Sequence, residues 1–355
     1  MSRHPYESLT DARFWSRAVT WPPPGRLDPV GRSFRIEPGH KIVTMGSCFS
    51  QHLSRAIGQS GFTYYVAEPA PPGLTAAMAD ALGYGVFSAR YGNVYTVRQA
   101  VQLFDRAFGA FRPADDVWTA PAGFVDAFRP RIEPAGFPSA DRVRESASAH
   151  LACVRQVFLN GDVFVLTLGL TEAWRARCDG AVYPTAPGVS GGSYAPERYE
   201  FVNFTVDEVR ADLVGLIERL REVNPGARVI LTVSPVPLGA TFEDRHVLVS
   251  NACSKAVLRV AADEAERRFA HVAYFPAYEI VTSPSAEGRY VADDLRQVTR
   301  LGVRHVMNVF SRHFFGIPDH GIAAAGAGDA GQPDDPDVMC DDEEITRSLR
   351  RAGFN

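Results

Sequence analysis

The stretch Lys41-Ile-Val-Thr-Met-Gly-Ser-Cys-Phe-Ser50 decides the fold of this chain. A short apolar run ends at Gly46-Ser47, and the residues after it predict a helix from Phe49 to about Gly58. A strand, a tight turn and a helix in this order direct the side chain at the turn into the crevice beyond the carboxyl end of the strand, where open α/β sheets bind ligands. Ser47 is therefore the leading candidate for a nucleophile.

Three later segments have the continuous apolar character of parallel strands that are covered on both faces. They are Asp162–Leu168, Arg228–Ser234 and His271–Phe275. Helical patterns separate the predicted strands or follow them, over 141–160, 247–269 and 299–314. This alternation predicts an α/β protein, a three-layer α/β/α domain with a parallel, flavodoxin-like sheet.

One further helix carries explicit start and stop signals. Thr205-x-x-Glu208 is a capping box, in which each side chain accepts from a backbone N–H of the first turn. Asn224-Pro225-Gly226 ends the same helix, because proline and glycine both interrupt helical structure. This helix leads into the predicted strand that begins at Arg228.

Composition excludes several classes of function. The chain has 355 residues, a formal net charge of −4 and a pI near 6.2, which gives no bulk attraction to nucleic acid or anionic membranes. It begins with a polar segment and contains no apolar run long enough to span a bilayer. We predict a cytoplasmic protein with no nucleic-acid partner and no membrane span, for which small neutral or polar substrates remain open. The sequence predicts no oligomeric state.

The cysteines and histidines do not indicate a metal site. The five cysteines are odd in number and lack a Cys-x-x-Cys pair, so neither a disulfide framework nor a structural zinc site is predicted. No pair of histidines or carboxylates has ligand spacing on one helical face. We therefore predict no metal and no other cofactor.

The chain divides into three segments by composition. Residues 1–40, rich in proline and aromatics, predict an irregular N-terminal arm, and residues 41–316 contain the predicted α/β domain. Residues 317–355 contain too little apolar surface to pack, so a mobile C-terminal tail is predicted there.

Several segments resemble the GSCFA-domain family, a branch similar to the SGNH (GDSL-like) hydrolases. Met45-Gly-Ser-Cys-Phe-Ser50 looks like the signature that names this family. Six further blocks resemble the family in its order, over about residues 40 to 315: Tyr91–Tyr95, Thr167–Trp174, Tyr183–Gly188, Leu231–Leu238, Tyr274–Glu279 and Gly302–Met307.

The resemblance implies roles for residues near the strand ends. Ser47 matches the nucleophile, and its backbone amide would be one donor to the oxyanion of the tetrahedral intermediate. Gly92 matches the glycine whose amide is the second donor. The third donor in SGNH hydrolases is an asparagine, and Thr171 stands at that point. A threonine hydroxyl can donate a hydrogen bond, but its different reach would weaken the oxyanion hole.

The last family block departs from the pattern in a way that affects the base. SGNH enzymes carry Asp-x-x-His there, whereas this chain reads Asp294-Leu-Arg-Gln297, and glutamine cannot act as a general base. His246, after the third predicted strand, and His305, in the last predicted helix, are the candidate replacements. We favour His246 because loops after strands face the crevice. Asp294 would orient the imidazole in either arrangement, or cap the last helix.

Other reactive or aromatic residues have alternative interpretations. Cys48 could serve as a nucleophile, although the first turn of a helix would direct it away from the crevice. Ser254-Lys255 has the composition of a Ser–Lys dyad, but a polar pair opening a helix is favoured. Three aromatic residues could line an acyl or sugar pocket or belong to the core or its rim: Trp174, Tyr183 and Tyr194.

The sequence therefore predicts a serine-dependent ester hydrolase or O-acyltransferase of SGNH type. The family resemblance implies acylated carbohydrate as the substrate class. The alternative is a non-catalytic ligand-binding protein on a degenerate SGNH-like fold, for which Gln297 is the strongest argument.

Overall fold

The computed structural model describes residues 4–23, 25–318, 341, 343–351 and 353. The strands are β1 (Ile42–Gly46), β2 (Val117–Ala120), β3 (Gly123–Asp126), β4 (Val163–Leu168), β5 (Glu172–Ala176), β6 (Val182–Tyr183), β7 (Tyr199–Asn203), β8 (Arg228–Val233) and β9 (Val272–Tyr274). The α-helices are α1 (Ser50–Gln59), α2 (Ala76–Ala81), α3 (Val97–Ala107), α4 (Ala140–Asn160), α5 (Val206–Val223), α6 (Val247–Arg268), α7 (Ala277–Thr282), α8 (Arg300–Phe310) and α9 (Glu343–Arg351). Short 3-10 or π-helical turns cover Asp11–Arg13, Ser16–Thr20, Pro284–Ala286 and Ser311–Phe315.

A four-stranded parallel sheet forms the centre of the fold and confirms the predicted α/β class. Its strand order is β1-β4-β8-β9. Each of the four predicted strands is present, with bounds within one or two residues of those expected. Every residue of β1 and β4 is buried, because helices flank the sheet and exclude water from its strands. The arrangement is consistent with the three-layer, flavodoxin-like fold.

The predicted helix signals are also confirmed. Thr205 and Glu208 form the capping box of α5, in which the Thr205 side chain accepts from the Glu208 backbone and the Glu208 side chain accepts from the Thr205 backbone. Asn224 caps the other end of α5. The described residues include no helix with both the length and the apolar character needed to cross a membrane.

Two smaller antiparallel sheets were not predicted. The strands β2 and β3 pair as a hairpin, and β6, β5 and β7 form a three-stranded sheet in that order. Only three residues separate the end of β4 from the start of β5, which lies in a segment that the sequence pattern treats as a loop. The three-stranded sheet matters because it carries one wall of the candidate site.

The chain forms two compact units. The first contains Met1–Ile36 and Tyr274–Asp337, and the second contains Glu37–Ala273 and Val338–Asn355. Within the first unit the N-terminal arm contacts the end of the last predicted helix: the Ile36 N–H donates to the Phe314 carbonyl at 2.8 Å. The arm thus packs as part of a unit, a grouping that composition alone did not reveal.

The predicted three-segment division remains a prediction. Most of the predicted C-terminal tail, including residues 319–340, lies outside the described residues. The exception is α9, a nine-residue helix at Glu343–Arg351 that belongs to the second unit.

Candidate functional site

Ser47 lies where β1 gives way to the turn before α1, as the sequence predicts. Gly46 has φ +147°, a conformation that L side chains rarely adopt, so the turn requires glycine. The Gly46 carbonyl accepts from the Val94 N–H at 2.8 Å, which fixes the 91–95 loop against the end of β1. The chain therefore brings a second loop to the serine from a point more than forty residues away.

Gly169 permits the close approach of three segments around Ser47. A Cβ at position 169 would lie 2.9 Å from the Tyr95 carbonyl oxygen and 3.1 Å from the Ser47 Cβ. The N–H groups of Gly169 and Leu170 both donate to that Tyr95 carbonyl at 3.1 Å. The loop after β4, the Tyr95 loop and the serine turn are thus held together by backbone contacts.

A small cavity lies against Ser47. Its other lining residues come from the loops that follow the sheet strands and from α6: Cys48, Tyr95, Gly169, Leu170, Ser234, Val236, Pro237, Leu238 and Lys255. Cys48 thus lines this cavity and is buried, although the sequence pattern directs it away from the crevice. Ser47 is the residue of the predicted site around which these elements converge.

A much larger cavity lies beside the small one. It has a volume of about 440 Å³, within the range of ordinary small-molecule sites. Tyr95, Leu170 and Leu238 line both cavities, so the two are neighbours. Ser47 lines only the small cavity, next to a pocket large enough for an acyl chain or a sugar ring.

An aromatic wall forms one side of the larger cavity. Trp174 on β5 stands opposite Tyr183 of β6 and Phe201 of β7, so the three side chains share one face of the antiparallel sheet. Phe242 and Tyr194 extend this wall, with ring centroids 4.9 Å and 5.1 Å from Trp174. All five residues line the cavity. Trp174, Tyr183 and Tyr194 thus all line a pocket, but Tyr183 is also a buried member of the core cluster around Trp118 and Tyr199.

The Ser47 hydroxyl is buried and unpartnered. Its side chain is 3% exposed, and Oγ makes no hydrogen bond within the described residues. Buried hydroxyls are almost always hydrogen-bonded, because an unpaired polar group costs about 1–3 kcal/mol. An orphaned hydroxyl facing a cavity is typical of a site that is completed by a ligand.

The predicted oxyanion donors are differently engaged. The Ser47 N–H donates to the Thr167 carbonyl at 3.1 Å as part of the β1–β4 ladder, and so it is not directed at the cavity. The Thr171 hydroxyl donates to Asn203 Oδ1 at 2.7 Å, and Thr171 does not line the Ser47 cavity. Gly92 adopts φ +70°, and its N–H makes no hydrogen bond to another backbone group in the described part of the chain. Of the two predicted backbone donors, Gly92 is thus the one whose N–H donates to no backbone carbonyl within the described residues.

His246 caps a helix in this structure. Its Nδ1 accepts from the Leu248 N–H at 3.2 Å at the start of α6, and the side chain is exposed. A neutral imidazole has one acceptor nitrogen, so the cap occupies the nitrogen that a general base would use. His246 lines neither cavity. It would have to leave the cap before it could take a proton.

His305 and Asp294 belong to the first unit and have local partners there. His305 is buried; its Nε2 lies 2.8 Å from the Leu27 carbonyl oxygen, and its Nδ1 lies 2.8 Å from the Tyr290 hydroxyl. Because a carbonyl only accepts, Nε2 donates to Leu27, and with the Tyr290 hydroxyl at Nδ1 both ring nitrogens have partners, as in a structural histidine. The Asp294 carboxylate accepts two N–H groups of its own loop, from Arg296 and Gln297, each at 2.9 Å.

Lys255 is the main residue that sequence reasoning did not select. It is 2% exposed, lines the Ser47 cavity, and its Nζ donates to the carbonyls of Gly169 and Val236, both at 2.7 Å. Neighbouring Ser254 accepts from the Thr171 N–H at 3.0 Å. The pair lies inside α6 and therefore does not open the helix, contrary to the favoured interpretation of the sequence. Its contacts with Gly169 and Thr171 anchor the loop after β4. One sequence signal was available: the chain has only two lysines.

Glu172 adds a titratable group to the larger cavity. Burial raises the pKa of this carboxyl above its usual value, partly offset by a hydrogen bond from Thr241 Oγ1 to Oε1 at 2.7 Å. It is half-buried and lies beside the aromatic wall. A carboxyl with a raised pKa in a cavity is a candidate for contact with a polar group of a ligand.

Comparison with known proteins supplies one match. The model of the GSCFA family matches residues 41–310, which include β1, the serine turn and both cavity-forming loops after β4 and β8. Searches of curated proteins and of solved structures find no match.

Proposed function

This chain belongs to the GSCFA family, and we propose that it is a serine-dependent ester hydrolase or O-acyltransferase of SGNH type that acts on acylated carbohydrate. Ser47 is the proposed nucleophile. The observation that carries the proposal is the buried, unpartnered Ser47 hydroxyl beside a small cavity, which shares Tyr95, Leu170 and Leu238 with a neighbouring cavity of about 440 Å³.

The shape and lining of the cavity support a substrate with an extended apolar or ring-shaped part. The aromatic rings of Trp174 and Phe201, which are in register on neighbouring strands, offer surfaces on which a sugar ring or an acyl chain can pack. Glu172 provides a polar group on the same side, suited to a sugar hydroxyl. Such a mixture of apolar walls and few polar groups is typical of small-molecule sites.

The proposed reaction proceeds through a covalent intermediate. Ser47 Oγ forms a bond to the ester carbonyl carbon while its proton passes to the base, and the tetrahedral intermediate then breaks the bond to the alcohol oxygen. The alcohol leaves with the proton from the base. Water, or a sugar hydroxyl in a transferase, then attacks the carbonyl carbon of acyl-Ser47 and gives its proton to the base. The bond from that carbon to Ser47 Oγ breaks, and the base returns the proton to Oγ, which restores the serine.

Lys255 supports the development of negative charge at the serine. Its ammonium group is fixed by two carbonyls and lines the same small cavity as Ser47, away from bulk water. A fixed positive charge in a buried site favours negative charge on the serine or on an intermediate more strongly than the same charge would in water. Gly92 is the proposed backbone donor to the oxyanion.

His246 remains the proposed base, with Asp294 as the proposed partner of the imidazole and His305 as the second candidate base. For His246 the proposal requires that Nδ1 exchange the Leu248 N–H for a proton of the reacting group. Catalytic hydrogen bonds often form only in the complex with substrate. The loss of an exposed cap costs about 1 kcal/mol, which substrate binding can offset.

The test is labelling of the purified protein with a fluorophosphonate probe, combined with hydrolysis of a p-nitrophenyl ester. We expect Ser47 to be labelled, and Ser47→Ala to lose both labelling and hydrolysis. Ser60→Ala, which removes a serine hydroxyl from the end of α1, is the matched control and is expected to behave as wild type.

A pair of substitutions separates the base from the cap. His246→Asn retains an N-cap acceptor but has no basic nitrogen, whereas His246→Ala loses both. If His246 is the base, both variants lose hydrolysis by a similar factor. If only His246→Ala is impaired, the cap accounts for the effect, and His305→Asn becomes the variant to measure.

A second candidate function is a non-catalytic ligand-binding protein. Its supporting observation is that Ser47 Oγ has no base within hydrogen-bonding distance in the described residues, together with Gln297 at the usual histidine position. Absence of labelling at Ser47 in well-folded wild-type protein would favour this function over the esterase.

A further inference from the structure

A carboxylate of the chain itself occupies a polar recess at the larger cavity. Oδ2 of Asp341 accepts from Asn93 Nδ2 at 2.8 Å and from the Tyr95 hydroxyl at 3.0 Å. Oδ1 lies 3.3 Å from an Arg131 guanidinium nitrogen. The Asp341 N–H donates to the Tyr95 oxygen at 2.8 Å. Three side chains from outside the C-terminal segment thus converge on one anionic group.

The recess is built by the body of the unit and not by the C-terminal segment. Asn93 and Tyr95 are 9% and 8% exposed, so their positions are set by packing. The Asn93 side-chain oxygen accepts from Gln51 Nε2 of α1 at 3.2 Å, which turns its NH₂ group outward. Buried donors with fixed directions, next to a guanidinium, are a preorganised site for a carboxylate.

The recess connects directly to Ser47. Tyr95 lines both the small cavity at Ser47 and the larger cavity, while its hydroxyl contacts Asp341. Asp341 and Ile345 of α9 also line the larger cavity. Tyr95 and Asp341 thus place the carboxylate-binding group at the edge of the larger cavity, and Tyr95 links that cavity to the one at Ser47.

The segment that supplies Asp341 is suited to be displaced. The helix α9 has nine residues, and isolated helices of that length are marginal in water. Leu349, in this helix, is half exposed. The three hydrogen bonds to the Asp341 carboxylate are among the contacts that hold this segment in place.

We propose that Asn93, Tyr95 and Arg131 form a subsite for a carboxylate of the substrate, and that Asp341 occupies this subsite in the ligand-free protein. The substrate class is narrowed to esters of carboxylated sugars, such as uronic acids. This narrowing rests on the proposed function, because it assumes that the larger cavity holds the substrate of Ser47. Asp341 then acts as an internal competitor that a carboxylated ligand must displace.

Binding of non-ester probes tests the subsite without catalysis. Isothermal titration calorimetry with glucuronate, glucose and glucose 6-phosphate compares wild type, Asp341→Ala, Asp341→Asn and the double variant Asp341→Ala/Arg131→Gln. Glu197→Ala, which removes an exposed carboxylate elsewhere in the unit, is the matched charge control. Asp341→Asn nearly preserves the size of the side chain, so it provides the same test if the alanine variant fails to fold.

We expect both Asp341 variants to bind glucuronate about tenfold more tightly than wild type does. This factor corresponds to a wild-type subsite that Asp341 occupies in about nine-tenths of the molecules, because only the remaining tenth can bind the ligand. We expect the double variant to lose this gain, and glucose to be bound equally by all proteins. Equal binding of glucuronate and glucose by well-folded Asp341→Asn would overturn the proposal. Tighter binding of glucose 6-phosphate than of glucuronate would overturn the assignment to a carboxylate.

The outcome is separable from that of the proposed function. Glucuronate carries no ester, so its binding does not depend on Ser47 as a nucleophile. Selective glucuronate binding without fluorophosphonate labelling would support the carboxylate subsite and refute the proposed esterase activity. Labelling at Ser47 without selective glucuronate binding would support the esterase activity and refute the carboxylate subsite.

Discussion

The substitution Gly46→Ala tests the geometry that presents Ser47. A Cβ at position 46 would lie 2.2 Å from the Thr167 carbonyl oxygen and 2.7 Å from the Thr167 Cβ. That carbonyl accepts the Ser47 N–H, so it is fixed in the β1–β4 ladder and has no space in which to retreat. The alanine must therefore distort the sheet or the turn.

The cost has two parts. A non-glycine residue held at φ +147° costs about 1–3 kcal/mol of backbone strain. Displacing packed backbone and side-chain atoms costs a further ~1–3 kcal/mol. The sum of about 2–6 kcal/mol is a large share of the roughly 5–15 kcal/mol that stabilises an ordinary domain. We expect the variant to unfold at much lower urea concentration than wild type, and any folded fraction to lose fluorophosphonate labelling at Ser47.

The measurement is urea unfolding followed by circular dichroism, with Gly58→Ala as the matched control. Gly58 lies within α1, and a Cβ there would have nothing within 4 Å, so alanine is expected to stabilise by about 0.5–1 kcal/mol through helix propensity. A loss of less than about 1 kcal/mol in Gly46→Ala would refute the reasoning, because strain alone should reach that value.

Three further substitutions test buried polar groups. Burial and the nearby Arg129 guanidinium lower the pKa of His150 from 6.5 to about 4. Between these pH values the unfolded chain therefore binds a proton that the folded chain does not. The free energy of unfolding of wild type should fall by up to about 3 kcal/mol from pH 6.5 to pH 4, which is more than the fall expected in His150→Gln. Lys255→Met removes the hydrogen bonds to two backbone carbonyls and should destabilise by about 2–4 kcal/mol in urea unfolding. Asp126→Asn leaves the Arg129 charge unpaired at a site where both side chains are at most 3% exposed, and should cost about 3–5 kcal/mol in the same assay.

Each of these predictions has a control or a contradicting result. An equal pH dependence in wild type and His150→Gln would mean that His150 does not titrate as described. Lys41→Met changes the other lysine, which is exposed, and should have little effect; a similar loss in both variants would contradict the role given to Lys255. Glu145→Gln weakens an exposed ion pair with Arg142 and should stay within about 0.5 kcal/mol of wild type, unlike Asp126→Asn.

Local signals in the sequence were sufficient for the elements of the central sheet. The apolar runs that became β1, β4, β8 and β9 are continuous, and the capping box at Thr205 names its own partner three residues on. Such patterns are local, because a buried strand needs apolar residues along its length and a helix start needs particular side chains within one turn. The antiparallel strand β5 escaped prediction because it is only partly buried and carries Glu172 and Arg175, so it has no continuous apolar run.

For the site, the sequence by itself determined that Ser47 stands at the end of a buried strand after a glycine, since that depends only on neighbouring residues. Tertiary structure alone decided the partners: that Trp174 stands beside Tyr183 and Phe201, that Lys255 reaches the Ser47 cavity, and that Asp341 meets Asn93 and Tyr95. It also decided that the acceptor nitrogen of His246 caps α6 by accepting from the Leu248 N–H. The physical reason is that hydrogen bonds and ring contacts depend on distances of a few ångströms between distant parts of the chain, which no local pattern specifies.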